Sequence, residues 1–73
     1  MFKIEVNGHD NQFIREIKTK VPFKDLEGAL IVQAVVNWGD EIVTRYNPGA
    51  CVHRLEVRNG KGNHLGYLLA VEV

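Results

Sequence analysis

Between Asp25 and Tyr46 the chain reads DLEGALIVQAVVNWGDEIVTRY, and its apolar residues recur at alternating intervals of four and three. At about 100° per residue, Gly28, Val32, Val35, Gly39, Ile42, Val43 and Tyr46 fall on one side, flanked by Ile31, Val36 and Trp38. The spacing predicts one amphipathic helix over about 25–46, with Trp38 at the boundary of its buried side. Asp25 can cap its first amides, and Asn47-Pro48-Gly49 cannot continue it. Two glycines on the buried side lower helix propensity by roughly 1 kcal/mol each and imply close approach of helix to sheet. An alternative ends the helix at Trp38, takes Gly39 as a left-handed stop and makes a strand of the β-favouring run after it. The single helix is preferred, because a break at Gly39 makes the later phase match a coincidence.

On either side of that stretch the chain alternates. Phe2-Lys3-Ile4-Glu5-Val6 has the period of a strand with one buried face. Asn7-Gly8-His9-Asp10-Asn11 reads as a turn. Gln12 to Val21 reads as a second strand, with Phe13, Ile17 and Val21 inward and Glu16, Lys18 and Lys20 outward. Further on, Cys51, His53, Leu55 and Val57 share one face of a third strand, and Val52, Arg54, Glu56 and Arg58 the other. Asn59 to Asn63 is a glycine-rich turn, and His64 to Val73 closes the chain as a fourth strand. Its run Tyr67-Leu68-Leu69-Ala70-Val71 is apolar on both faces, which suits a central or doubly covered strand. The expected fold is α+β: a ββαββ two-layer sandwich with one long helix on a four-stranded antiparallel sheet, and residues 1–73 form one domain. Lys3, Glu5, Glu16, Lys18, Arg54, Glu56 and Arg58 are expected on the open sheet face.

Composition excludes several classes of function. Nine basic residues balance nine acidic ones, so the formal net charge is zero, and the chain fits neither a general nucleic-acid binder nor an acidic DNA mimic. The lone Cys51 has no internal disulfide partner, so a reduced, cytoplasmic protein is expected. No basic start followed by an apolar run suggests a signal peptide, and no apolar run nears the ~20 residues of a membrane span.

Sites for chemistry are sparse. His9, His53 and His64 invite a metal or acid–base reading, and His53 and Cys51 share a strand face. A structural zinc site needs four ligands in paired spacings, so no metal and no cofactor are expected. No nucleophile, base and acid fall into a known motif, and no phosphate-cradling glycine loop is present, so no enzyme is expected and no catalytic residue is assigned. Asp40 and Glu41 are adjacent and point apart on a helix. Arg58 to His64 is the most basic stretch, which supports a nucleic-acid-binding hairpin as the first alternative function.

The helix carries one more signal. Leu26, Leu30 and Ala34 stand at i, i+4 and i+8 among polar residues, away from the main apolar arc. Such a stripe marks a partner surface, or else it lies deeper, covered by Phe23 or the first hairpin loop; both readings stay open. The partner-binding residues expected are Leu26, Leu30 and Ala34 on the helix, with Arg54, Arg58 and Lys61 around the last hairpin. In order of elements, in the apolar helix with Trp38, and in Tyr46-Asn47-Pro48-Gly49-Ala50 leading to Leu55-Glu56-Val57, the chain resembles small phage-encoded inhibitors. These are the phage inhibitor of bacterial RNA polymerase and certain anti-CRISPR proteins. The resemblance implies a non-enzymatic inhibitor that occludes a host protein complex in the host cytoplasm. This chain lacks the acidic balance of many such inhibitors, and no contact residue of theirs is carried over. A structural homodimer is the second alternative.

Overall fold

The computed structural model describes residues 1–73. Strands β1 (Phe2–Gly8) and β2 (Phe13–Thr19) form a hairpin, a short 3-10 turn (Phe23–Asp25) leads into helix α1 (Leu26–Trp38), and strands β3 (Ile42–Asn47), β4 (Val52–Asn59) and β5 (His64–Glu72) follow. The strands make one five-stranded antiparallel sheet in the order β2-β1-β5-β4-β3. The class is α+β as expected, with one helix on one side of a sheet. The strand count is five rather than four, and the order is ββαβββ rather than ββαββ. β5 is the central strand, which accounts for its apolar residues on both faces.

The long helix over 25–46 does not form. It ends at Trp38, and Gly39 follows with φ 88° and ψ 179°, a conformation open essentially to glycine alone. The Gly39 amide donates to the Val35 carbonyl at 2.8 Å, closing the last turn. Ile42-Val43-Thr44-Arg45-Tyr46-Asn47 then pairs with β4, Thr44 opposite Val57 and Tyr46 opposite Leu55. The β-branched run follows its strand propensity, and edge pairing supplies backbone partners that a longer helix would have had to find within itself. The helical phase beyond Gly39 was coincidental: Ile42, Thr44 and Tyr46 face inward at a period of two. Asp25 occupies the cap position without a side-chain cap hydrogen bond.

The helix also faces the other way. Leu26, Leu30 and Ala34 are fully buried and meet Phe2, Ile4, Val6, Leu55, Val57, Leu68 and Ala70 from the sheet in one core. Ile31 and Trp38 pack at its margin. Val32, assigned inward by phase, and Val36, placed at the flank of that side, are 57% and 69% exposed. At Gly28 an added Cβ would meet nothing within 4 Å, so its glycine does not serve close packing on the sheet. The reason lies in the helix being apolar on nearly every side, so that phase alone left two faces almost equivalent. Leucine reaches deeper than valine, and a stripe of two leucines and an alanine fills the space over a twisted sheet. Close approach occurs instead at Gly66, where a Cβ would lie 2.5 Å from Cζ2 of Trp38.

Ile17 in β2 and Val21 just beyond its end pack on the core as expected, whereas Phe13 is 58% exposed. A bulge between Val6 and Asn7 shifts the pairing, so Asn7 faces Phe13 and Ile14 is skipped. Arg15, opposite Val6, turns toward the helix. Its guanidinium donates to Asn37 Oδ1 at 2.9 Å and to Gln33 Oε1 and carbonyl at 3.0 and 3.2 Å, tying the outer hairpin to the second half of α1.

Candidate functional site

The sheet face away from the helix is the largest surface that the fold leaves without a second layer. Alternation along the strands puts Lys3 and Glu5, Glu16 and Lys18, Val43 and Arg45, Val52, Arg54, Glu56 and Arg58, and Tyr67, Leu69 and Val71 on that side. The seven charged residues expected there are there. Down its middle runs β5, whose Tyr67, Leu69 and Val71 are half-buried beneath long neighbouring side chains. The Arg54 guanidinium carbon lies 4.1 Å from the centroid of the Tyr67 ring, a cation–π stack held across the β4–β5 ladder. Glu56 fixes that arginine from the other side, its Oε1 accepting from Arg54 Nε at 3.3 Å. Beyond the ring, the Tyr67 hydroxyl donates to Asn11 Oδ1 at 2.7 Å, so the tyrosine is anchored at its tip.

Of the six residues expected to bind a partner, the structure separates the two groups. Leu26, Leu30 and Ala34 are core residues with no exposed surface and cannot meet a partner in the folded chain. This corrects their reading as a surface stripe: the alternative, that the stripe lies covered, is the one the fold adopts. Arg54 and Arg58 lie together on the open face, and Lys61 is exposed in the β4–β5 turn. That turn is ordered by Asn59, whose Oδ1 accepts from the amides of Lys61 and Asn63, both at 2.9 Å. Arg58 donates to the Gly62 carbonyl at 3.1 Å and lies 3.9 Å from Glu56 Oε2. Glu56 thus sits between both arginines, and Glu41 shares a shallow depression with Lys61, so acid is interleaved with the basic hairpin.

The histidines divide as well. His53 is packed between Phe2 and Phe23, with ring centroids 6.0 and 5.0 Å away, and its Nδ1 is buried without a hydrogen-bond partner. With Cys51, which lies exposed just before β4 rather than within it, it lines a shallow cleft of about 530 Å³. His9 and His64, 55 residues apart, are brought side by side. Strand parity with Leu55 and Val57 announced the inward placement of His53, and the parity Arg15 shares with Ile17 and Val21 is the one signal of its turn toward the helix; no local spacing announces the His9–His64 contact. On the helix side, burial raises the Tyr46 phenol above its ordinary pKa, helped by the nearby Glu27 carboxylate, and its hydroxyl has no partner. No helix is long and apolar enough to cross a membrane. Comparison with protein-family models, with curated proteins and with solved structures returns no match.

Proposed function

We propose that this chain is a small non-enzymatic protein-binding inhibitor that acts by steric occlusion, docking through the open face of its sheet. The reading is carried by one observation, the Arg54–Tyr67 stack held rigid between Glu56 and Asn11 on an uncovered surface. Tyrosine and arginine dominate interface hot spots because they bring area and directional bonding with little entropy left to lose. Val52, Leu69 and Val71 supply apolar area around the pair, and Arg58, Lys3 and Lys18 a polar rim. Size agrees: the long side of the molecule measures 33 by 22 Å, close in footprint to the ~800 Å² that each partner contributes to a standard interface.

The order hairpin, helix, strands is the pattern on which the resemblance to phage inhibitors rests, and many unrelated α+β domains share it. The partner class proposed on that resemblance is a host complex such as a CRISPR effector or RNA polymerase, met in the host cytoplasm. Nucleic acid is the weaker candidate, since Glu56 and Glu41 offset the basic hairpin and, of the Phe, Tyr and Trp rings, Tyr67 alone stands on the open face beside it. The test is capture of partners from a bacterial lysate by the tagged chain, at rising salt and with or without nuclease. A stoichiometric protein that survives nuclease and moderate salt is expected. Recovery that vanishes with nuclease and falls steeply with salt would assign the hairpin to nucleic acid instead. Self-association alone would leave the homodimer, joined through the exposed edge of β3 or β2.

A further inference from the structure

We propose that His9 and His64 form a two-imidazole binding site for a divalent transition-metal ion, at the end of the open sheet face where His64 pairs with Arg58. Their Nδ1 atoms lie 3.1 Å apart and their ring centroids 5.3 Å apart. An ion at the usual imidazole distance of about 2.05 Å from both nitrogens would see them at about 98°, between square-planar or octahedral and tetrahedral angles. In the metal-free pair the rings point nearly at one another, as a hydrogen bond requires. Turning both lone pairs onto one ion brings the centroids to about 4.8 Å, a shift of about half an ångström for two side chains that border solvent.

Two further features prepare the pair. Asp10 Oδ1 lies 3.6 Å from His9 Nε2, the ring nitrogen on the far side from His64. At that distance the carboxylate makes no hydrogen bond, but its charge favours the tautomer with the proton on Nε2 and leaves the His9 Nδ1 lone pair free. His64 then donates its Nδ1 proton to His9 in the metal-free state. Metal entry needs only a shift of that proton to His64 Nε2, with no net proton lost. The second feature is the hold on the loop. The Asn11 amide donates to the Gly8 carbonyl at 3.2 Å, the Gly8 amide donates to the Gln12 carbonyl at 2.7 Å, and Asn11 is clamped to Tyr67. His9 is thereby fixed over the start of β5, where His64 stands. No third His, Cys, Asp or Glu completes a cluster, so water fills the remaining positions, and imidazole donors favour nickel, copper or zinc over calcium or magnesium.

The test uses Zn²⁺ and Ni²⁺ as probes on the full chain. Calorimetric titration at neutral pH is expected to give one saturable site per chain, and Ni²⁺ to broaden amide signals around residues 8–11 and 64 first. His9→Gln and His64→Gln should each weaken binding at least tenfold with the fold intact by circular dichroism. Asp10→Asn, which removes only a nearby exposed charge, should weaken it less than either histidine substitution. The melting temperature should rise with Zn²⁺ in the wild type and not in His64→Gln. Binding that survives either histidine substitution, or that is lost in Cys51→Ser, would overturn the proposal, as would the absence of a saturable site.

Discussion

Replacing Leu30 by alanine tests which face of the helix holds the core. Leu30 has no exposed surface and lies midway along the buried stripe. Truncating it removes three carbons from a sealed site, which costs about 2–5 kcal/mol in transfer energy and residual cavity. A chain of 73 residues has a total stability of only about 4–11 kcal/mol at typical per-residue values. A loss near ~3 kcal/mol is therefore a large fraction of the whole, and lowers Tm by about 12–24 °C for a domain this small. The paired substitution is Val32→Ala, on the side that helical phase assigns to the core. Val32 is 57% exposed, so little burial is lost, and alanine's better helix propensity offsets it. Its expected effect lies within about 0.5 kcal/mol. Urea denaturation followed by circular dichroism measures both, at unchanged m-value. If Val32→Ala costs several kcal/mol while Leu30→Ala is nearly neutral, the helix is rotated and the core assignment is wrong.

Two further outcomes follow from the same structure. Gly28→Ala, in open space on the helix, should stabilise by about 0.5–1 kcal/mol, whereas Gly39→Ala, at φ 88°, should destabilise by about 1–3 kcal/mol; urea midpoints decide both. Tyr46 has its folded pKa raised, so its contribution is fully present below the unfolded pKa near 10 and is lost as pH rises beyond it. Tyr46→Phe should flatten that alkaline loss, and at neutral pH should be neutral or stabilising because the hydroxyl it removes has no partner. A steeper alkaline loss in Tyr46→Phe would contradict this.

The parts of the fold governed by local alternation were legible in the sequence. β1, β4 and β5 follow their period of two, and the two-sided apolar run Tyr67–Val71 correctly marked the central strand. What escaped was decided by competition between two periods. Residues 28–46 fit a helix by phase, while Ile42 to Tyr46 also fit a strand by residue type, and pairing with β4 decided between them. The helix face escaped because both sides of α1 are apolar, and the choice between leucines and valines depends on the shape of the sheet beneath. Phe13 was misplaced by a bulge with no sequence mark beyond the Asn-Gly turn beside it. On the open face, Arg54 and Arg58 were readable from parity, but the stack with Tyr67 needed the β4–β5 register. The His9–His64 pair is a contact across the sheet end, invisible to any local spacing rule.

The most direct test of the docking face compares three baits in nuclease-treated bacterial lysate: the wild type, an Arg54→Glu/Tyr67→Ser pair on the open sheet face, and a Val32→Asp/Val36→Asp pair on the outer side of the helix. Each is first checked for an unchanged fold by circular dichroism. The result expected is one stoichiometric protein partner held by the wild type and by the helix variant and lost from the sheet variant. A partner held by the sheet variant and lost from the helix variant would contradict docking through the sheet.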